Sequence, residues 1–167
     1  MELYNKLLTN ETFREKLDVI TEVEKDRKFC RHGIEHILDV ARIAQIFNVE
    51  RGYNLSKDIV YSASLLHDIG RADEYLYGTP HDEAGAQIAT NILMELGANG
   101  DEIFVISYAI GHHRGQNLYG QIDDKNPSKL LSNIIKEADV ISRPCYMCKA
   151  SAECKWPEEK KNNIIKY

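Results

Sequence analysis

The sequence predicts one all-α domain, a bundle of about six or seven helices. Three observations support this: apolar residues recur at helical spacing in segment after segment, almost no stretch alternates with the period of a strand, and capping residues bracket the apolar stripes. The length of 167 residues suits one core, with 43% hydrophobic and 28% charged residues marking a globular chain.

The first long helix is expected from Thr9 to near Lys25, with Phe13, Leu17 and Ile20 on one face and Thr9 or Asn10 as its cap. A second runs from Gly33 to Phe47 and stops before Gly52, its stripe made of Ile34, Ile37, Leu38, Ala41 and Ala44. Ser56 caps a third, whose run from Ile59 to Leu66 is so apolar that it must be central, and which passes through His67-Asp68 to end at Gly70. The segment from Asp73 to Gly78 is expected to join two helices along the rim of a pocket.

Thr79-Pro80 predicts the next start, with a hydroxyl at the cap and Asp82 and Glu83 against the positive end of the helix dipole. That helix should continue to Leu96 and stop at Gly97. Another begins near Gly100-Asp101, reaches His112-His113 and ends at Gly115. After a polar loop, Asn126-Pro127-Ser128 opens the last long helix, which carries Leu130, Leu131, Ile134, Ile135 and Ala138 to Ile141 before Arg143-Pro144 breaks it. A tail over 144–167 holds three cysteines, Trp156-Pro157 and a short charged helix.

Charge narrows the function. Twenty-one basic against 26 acidic residues give a net charge of -5, which argues against a general grip on nucleic acid or on an anionic membrane. No apolar run approaches the roughly 20 residues a membrane span needs, and the start lacks signal-peptide character, so a cytoplasmic address is expected. A small phosphorylated ligand remains compatible with the charge, because arginines and a cation can hold it locally.

Six histidines fall at 32, 36, 67, 81, 112 and 113, mostly near the ends of expected helices, where several could aim at one point. His67-Asp68 closes an apolar helix, and an aspartate buried at that depth is costly unless it is paired or bound to a metal. Imidazole and carboxylate together suit a divalent cation, whose double charge calls for a second carboxylate. Asp139, in another apolar helix, is the natural candidate.

The run His67-Asp68-Ile69-Gly70, with an earlier histidine and the distant Asp139, resembles the HD-domain superfamily of metal-dependent phosphohydrolases over roughly Arg31 to Arg143. The resemblance implies the superfamily's helical bundle, with metal ligands His67, Asp68, Asp139 and a first histidine. The family usually places valine four residues after that histidine; His36 with Val40 satisfies this, and His32 stands as the alternative. Binuclear members add two histidines, for which His81 and His113, with His112 beside it, occupy the matching positions, and Asp68 would bridge the two ions. One or two divalent ions are implied, drawn from iron, manganese, cobalt, nickel, magnesium or zinc.

The implied activity is hydrolysis of a phosphoester or phosphoanhydride, with a nucleotide the expected substrate and metal-activated water the nucleophile. Asp68 and Arg71 carry the catalytic assignments, and Arg71, Arg114 and Arg143 are the candidates for holding substrate phosphate. Two other readings stay open: a diiron oxygenase, since the superfamily includes such enzymes, and a nucleotide-binding module without activity. Cys145-x2-Cys148-x5-Cys154 is too compact for chance placement, and Cys30 could supply a fourth thiolate if the tail folds back. A closed structural zinc site, or an iron–sulfur cluster, is the expectation for these four.

Overall fold

The computed structural model describes residues 1–114 and 126–167. Among them are eight α-helices: α1 Leu3–Leu7, α2 Glu11–Val23, α3 Ile34–Glu50, α4 Lys57–Leu66, α5 Arg71–Tyr77, α6 His81–Glu95, α7 Gly100–His112 and α8 Pro127–Ile141. Three single 3-10 turns follow, at Cys145–Met147, Ser151–Glu153 and Glu158–Lys160, and no strand occurs among the described residues.

The caps show why these segments are helical. Asn10, not Thr9, starts α2, its side chain accepting from the Phe13 amide at 2.9 Å. Ser56 does the same for α4, and Asn126 accepts from the amides of Ser128 and Lys129 at the head of α8. Helix α7 has a full capping box, Asn99 accepting from the Glu102 amide while Glu102 accepts from the Asn99 amide.

Three expectations are corrected and one helix is added. The stretch after Gly70 is not merely a rim: Arg71–Tyr77 forms α5, ended by Gly78 in the left-handed conformation at φ 75°. Leu3–Leu7 is a further short helix, which brings Leu3 and Leu7 into the core. Thr79 does not cap α6; Pro80 holds that position and makes no side-chain cap bond. The charged helix of the tail is only the 3-10 turn Glu158–Lys160. The stop expected at Gly115 lies outside the described residues.

The central layers are α3, α4, α7 and α8, with α6 against α7 and α5 against both α2 and α6. Phe13, Phe47, Leu66, Ile92, Leu93, Ile106, Ile110, Leu131, Ile134 and Ile135 are fully or almost fully buried in one continuous core. Each such side chain contributes roughly 1.5–3 kcal/mol of apolar burial. Among the described residues, no helix is long and apolar enough to cross a membrane.

Gly70 is the tightest point. A Cβ there would lie 2.0 Å from the His81 carbonyl oxygen and 2.4 Å from the Gly85 nitrogen. The residue after His67-Asp68-Ile69 must therefore lack a side chain, because the backbone of α6 runs against it. That contact sets His81 beside Asp68.

Candidate metal centre

Helix α4 is apolar because it is central, and the buried pair His67 and Asp68, directly after its last residue Leu66, lies toward α3, α6, α7 and α8. From those helices come His36, His81, His113 (just beyond α7) and Asp139. The rings step across the bundle in contact: His36 to His67 with centroids 5.5 Å apart, His67 to His113 at 5.6 Å and His113 to His81 at 5.5 Å.

Two ligand groups result, with atoms inside each within 4.8 Å of one another: His36, His67, Asp68 and Asp139 form one, and Asp68, His81 and His113 the other. Asp68 belongs to both and divides its oxygens between them. Oδ2 lies 3.2 Å from His67 Nε2 and 3.6 Å from His36 Nε2, whereas Oδ1 lies 3.7 Å from His81 Nε2. Asp139 Oδ1 closes the first group at 3.1 Å from His36 Nε2.

Each imidazole is held by its far nitrogen. His67 Nδ1 donates to the Ser64 carbonyl at 2.7 Å, and His113 Nδ1 to the Ile110 carbonyl at 2.6 Å. His81 Nδ1 donates to Glu74 Oε2 at 2.8 Å. The Ser142 hydroxyl donates to the Asp139 carbonyl, which leaves its oxygen, 3.3 Å away, to accept from His36 Nδ1. With the hydrogen on Nδ1 in every case, His67, His81 and His113 turn an Nε2 lone pair to the centre, the form a metal requires, while the Nε2 lone pair of His36 accepts from Arg143.

The same arrangement leaves His67 Nε2, Asp68 Oδ2 and His81 Nε2 buried without a hydrogen-bond partner. His67 Nε2 and Asp68 Oδ2 are close, but not in the geometry of a hydrogen bond. Orphaned polar atoms at full burial cost roughly 1–3 kcal/mol each. A cation at each group would satisfy them, and mixed imidazole and carboxylate donors suit divalent iron, manganese, cobalt or zinc.

Electrostatics favour a bound cation. Burial works to raise the Asp68 carboxyl, but His67, His36 and Arg71 outweigh it and hold the group well below the usual carboxylate range. Burial likewise opposes ionisation of Asp139, yet His36 and Arg143 keep it ionised. Burial pushes His113 down to about 4, and burial with Arg71 lowers His81. For His67, burial opposes the charged form, but the Asp68 carboxylate outweighs it, so its pKa lies above the ordinary value, and a cation in the first group would take the place of the Nε2 proton that Asp68 favours.

The arginines take three different positions. Arg71 Nε donates to Asp68 Oδ1 at 2.7 Å, so it orients the shared carboxylate. Arg143 is buried; it donates to Asp139 Oδ1 at 2.8 Å, to His36 Nε2 at 2.9 Å and to the Arg31 carbonyl at 3.0 Å. It is thus committed to the ligands of the first group and does not face outward for a phosphate. Arg114 is exposed, with Nη1 3.8 Å from Glu74 Oε1 and 3.3 Å from His81 Nδ1. A carboxylate can only accept, so Glu74 takes the Nδ1 hydrogen and Arg114 contributes only its charge there.

Two histidines fall outside both groups. His112, placed at the metal by its neighbour's likeness, is exposed, stacks on Tyr108 at 4.0 Å and bonds the Tyr108 carbonyl through Nδ1. Successive residues point about 100° apart on a helix, and α7 aims His113 inward. His32 is buried against Glu24, its Nδ1 2.6 Å from Oε1, and its ring meets the edge of His36. Glu24, Glu74 and Ser142 are the residues that sequence reasoning missed. Glu24 and Glu74 lie eight and seven residues from His32 and His81, and Ser142 lies 106 from His36, and no recurrent spacing marks such roles.

The four cysteines are free thiols, all half-buried. A zinc ion with sulfurs at about 2.3 Å requires them roughly 3.8 Å apart. Among the described residues no three cysteines hold their sulfurs within 4.8 Å of one another, so the closed zinc site is not what the structure presents.

Comparison with known proteins agrees with the architecture. The HD domain family matches residues 33–143. An uncharacterized protein of Clostridium beijerinckii is 39% identical over 167 residues, spanning the whole of both chains. Ribonuclease Y of Nitratidesulfovibrio vulgaris is 30% identical over 114 residues, 68% of this chain but only 18% of that protein's length. In structure, a predicted HD superfamily hydrolase from an uncultured Thermotogales bacterium superposes with a TM-score of 0.60 and 25% identity, over 89% of this chain and 80% of that one. The chain belongs to the HD domain family.

Proposed function

We propose that the protein is a metal-dependent phosphohydrolase acting on a small phosphorylated molecule, a nucleotide, through a pair of divalent ions. The observation that carries this reading is Asp68, which turns one oxygen to His36 and His67 and the other to His81. His36, His67, Asp68 and Asp139 would hold one ion, and Asp68, His81 and His113 the second. When bound, such ions lower the pKa of a coordinated water and neutralise charge on phosphoryl oxygens.

The chain's own residues prepare the site for that chemistry. Arg71 fixes the rotamer of Asp68, Glu74 fixes the tautomer of His81, and Arg143 with Ser142 fixes the edge formed by His36 and Asp139. Arg114, exposed beside the second group, is the cation best placed to meet a substrate phosphate. The name of the ribonuclease Y relatives indicates RNA as substrate, which supports phosphoester chemistry at a site of this kind. A net charge of -5 favours a small molecule over a polymer here.

The test is phosphate release from a panel of nucleotides and dinucleoside polyphosphates, run with each divalent cation in turn. Cation-dependent release is expected, and Asp68→Ala should abolish it while the helical circular dichroism remains. Near wild-type turnover in that variant would overturn the reading. The nitrogen-rich set of four histidines also suits an iron pair in an oxygenase. Oxygen uptake by the ferrous protein with no phosphate product would select that second reading.

A further inference from the structure

The tail has a feature that phosphoryl chemistry does not use. A cavity of about 530 Å³ lies between it and the segment that precedes α3, and Cys30, Cys145, Cys148 and Cys154 all line its wall. Three of them come from two consecutive 3-10 turns: Cys145 begins the first, Cys148 follows it, and Cys154 follows the second. The fourth, Cys30, is separated from them by 115 residues or more, since 145 less 30 is 115.

Two ties hold these parts together. Lys28 pairs with Glu153, joining the Cys30 segment to the second turn. Asn162 is buried and donates to the carbonyls of Val140 at 2.6 Å, Ile141 at 3.2 Å and Arg143 at 3.0 Å, fastening the tail to the end of α8. Burial raises the Cys30 thiol pKa, and the other three cysteines raise it further, against a lowering by Arg143. The other three sulfurs therefore lie within electrostatic reach of Cys30. Lys28, Arg143 and Lys161, which also line the cavity, supply positive charge beside them.

Thiolates that share a cavity but stand too far apart for one tetrahedral ion match a polynuclear group, whose sulfur ligands sit at the corners of a larger body. We propose that Cys30, Cys145, Cys148 and Cys154 ligate a four-iron, four-sulfide cluster in this cavity. Four cysteine thiolates are the ligand set such a cluster takes. In the loading step two ferrous ions, two ferric ions and four sulfides come together, and four thiol S–H bonds give way to four bonds between iron and cysteine sulfur. The four protons pass to solvent and no electron moves. The cluster would tie the first and last parts of the chain together beside His36, which lines the same cavity.

The test is anaerobic purification of the full chain followed by reconstitution with ferrous and ferric iron in equal amounts and sulfide, with iron and acid-labile sulfide counted per chain. Asp68→Asn serves as the background, because it weakens the histidine centre and leaves the cysteines alone. About four sulfides per chain are expected, together with a visible charge-transfer absorption that bleaches on reduction. Cys148→Ser should lose both, and so should Cys30→Ser, chosen from the other end of the cavity. Zinc without sulfide overturns the proposal. So do four thiols that titrate freely in the anaerobic wild-type protein, a measurement that depends on no variant folding. Sulfide content is independent of phosphate release, so neither result decides the other.

Discussion

The histidine centre and the cysteine cavity are both sets of metal-ligating side chains, but the chain builds them in opposite ways. Histidine and aspartate ligands ride on or directly beside long helices, and their far nitrogens are pinned, two of them by carbonyls one turn back along the same chain segment. The cysteines sit on short 3-10 turns and a connecting segment, held by an exposed ion pair, a buried asparagine and bonds from Arg143 and Lys161 to the carbonyls of Arg31 and Ser151. The first site is ordered by the same core that folds the protein. The second is gathered by a few contacts made after that core exists, so the two should respond differently to substitution.

The largest effect is expected from the carboxylate that both histidine groups share. Asp68→Asn should strip metal from both groups and reduce turnover by more than the roughly 10–100-fold that follows loss of an outer partner. Metal counts by elemental analysis check this, and a variant that keeps two ions would break the contrast. Next comes Gly70→Ala, which would force a methyl group to within 2.0 Å of the His81 carbonyl oxygen. A loss of about 3 kcal/mol, at the upper end of overpacking costs, is expected in urea unfolding.

Asn162→Ala should cost about 1–3 kcal/mol, because it leaves three carbonyls at the end of α8 short of a buried donor. Its effect should show in proteolysis of the tail while metal binding at the histidine centre persists. The narrowest change is Glu74→Gln. It should weaken the second ion by about 10–100-fold and the first ion much less, since among the metal ligands only His81 donates a hydrogen bond to Glu74, whose contact with Arg71 is longer, at 3.9 Å. Calorimetric titration separates the two binding steps.

What could be read in advance follows the same division. Six long helices were legible because each carries an apolar stripe, to which α4 adds the cap Ser56 ahead of Val60, Ala63 and Leu66. Helix α5 was not, since seven residues are too few to show a period and Asp73-Glu74-Tyr75 reads as a polar link. Gly78, left-handed at its end, was the signal available. At the centre, His36, His67, Asp68, His81, His113 and Asp139 could be nominated from motif order. The choice between His112 and His113 depended on the exact rotation of α7, which spacing alone does not give. Glu24 and Glu74 were invisible, because their partners, His32 and His81, are reached only through the folded chain. The spacing of the last three cysteines was local and plain, whereas the width of the cavity they share is a property of the tertiary structure.

The missing side chain at Gly70 has one more consequence. Where two main chains touch with nothing between them, no rotamer can give way, and the half of the crevice bearing His67, Asp68 and His81 behaves as a fixed jaw. Adjustment to guests of different size must then come from the opposite jaw, where His36 lines the cavity with Ser142 and Arg143, the residues that also hold Asp139. Selectivity among substrates would be tuned by the stretch linking α8 to the tail, and changes there should alter which molecule is accepted before they alter the reaction itself.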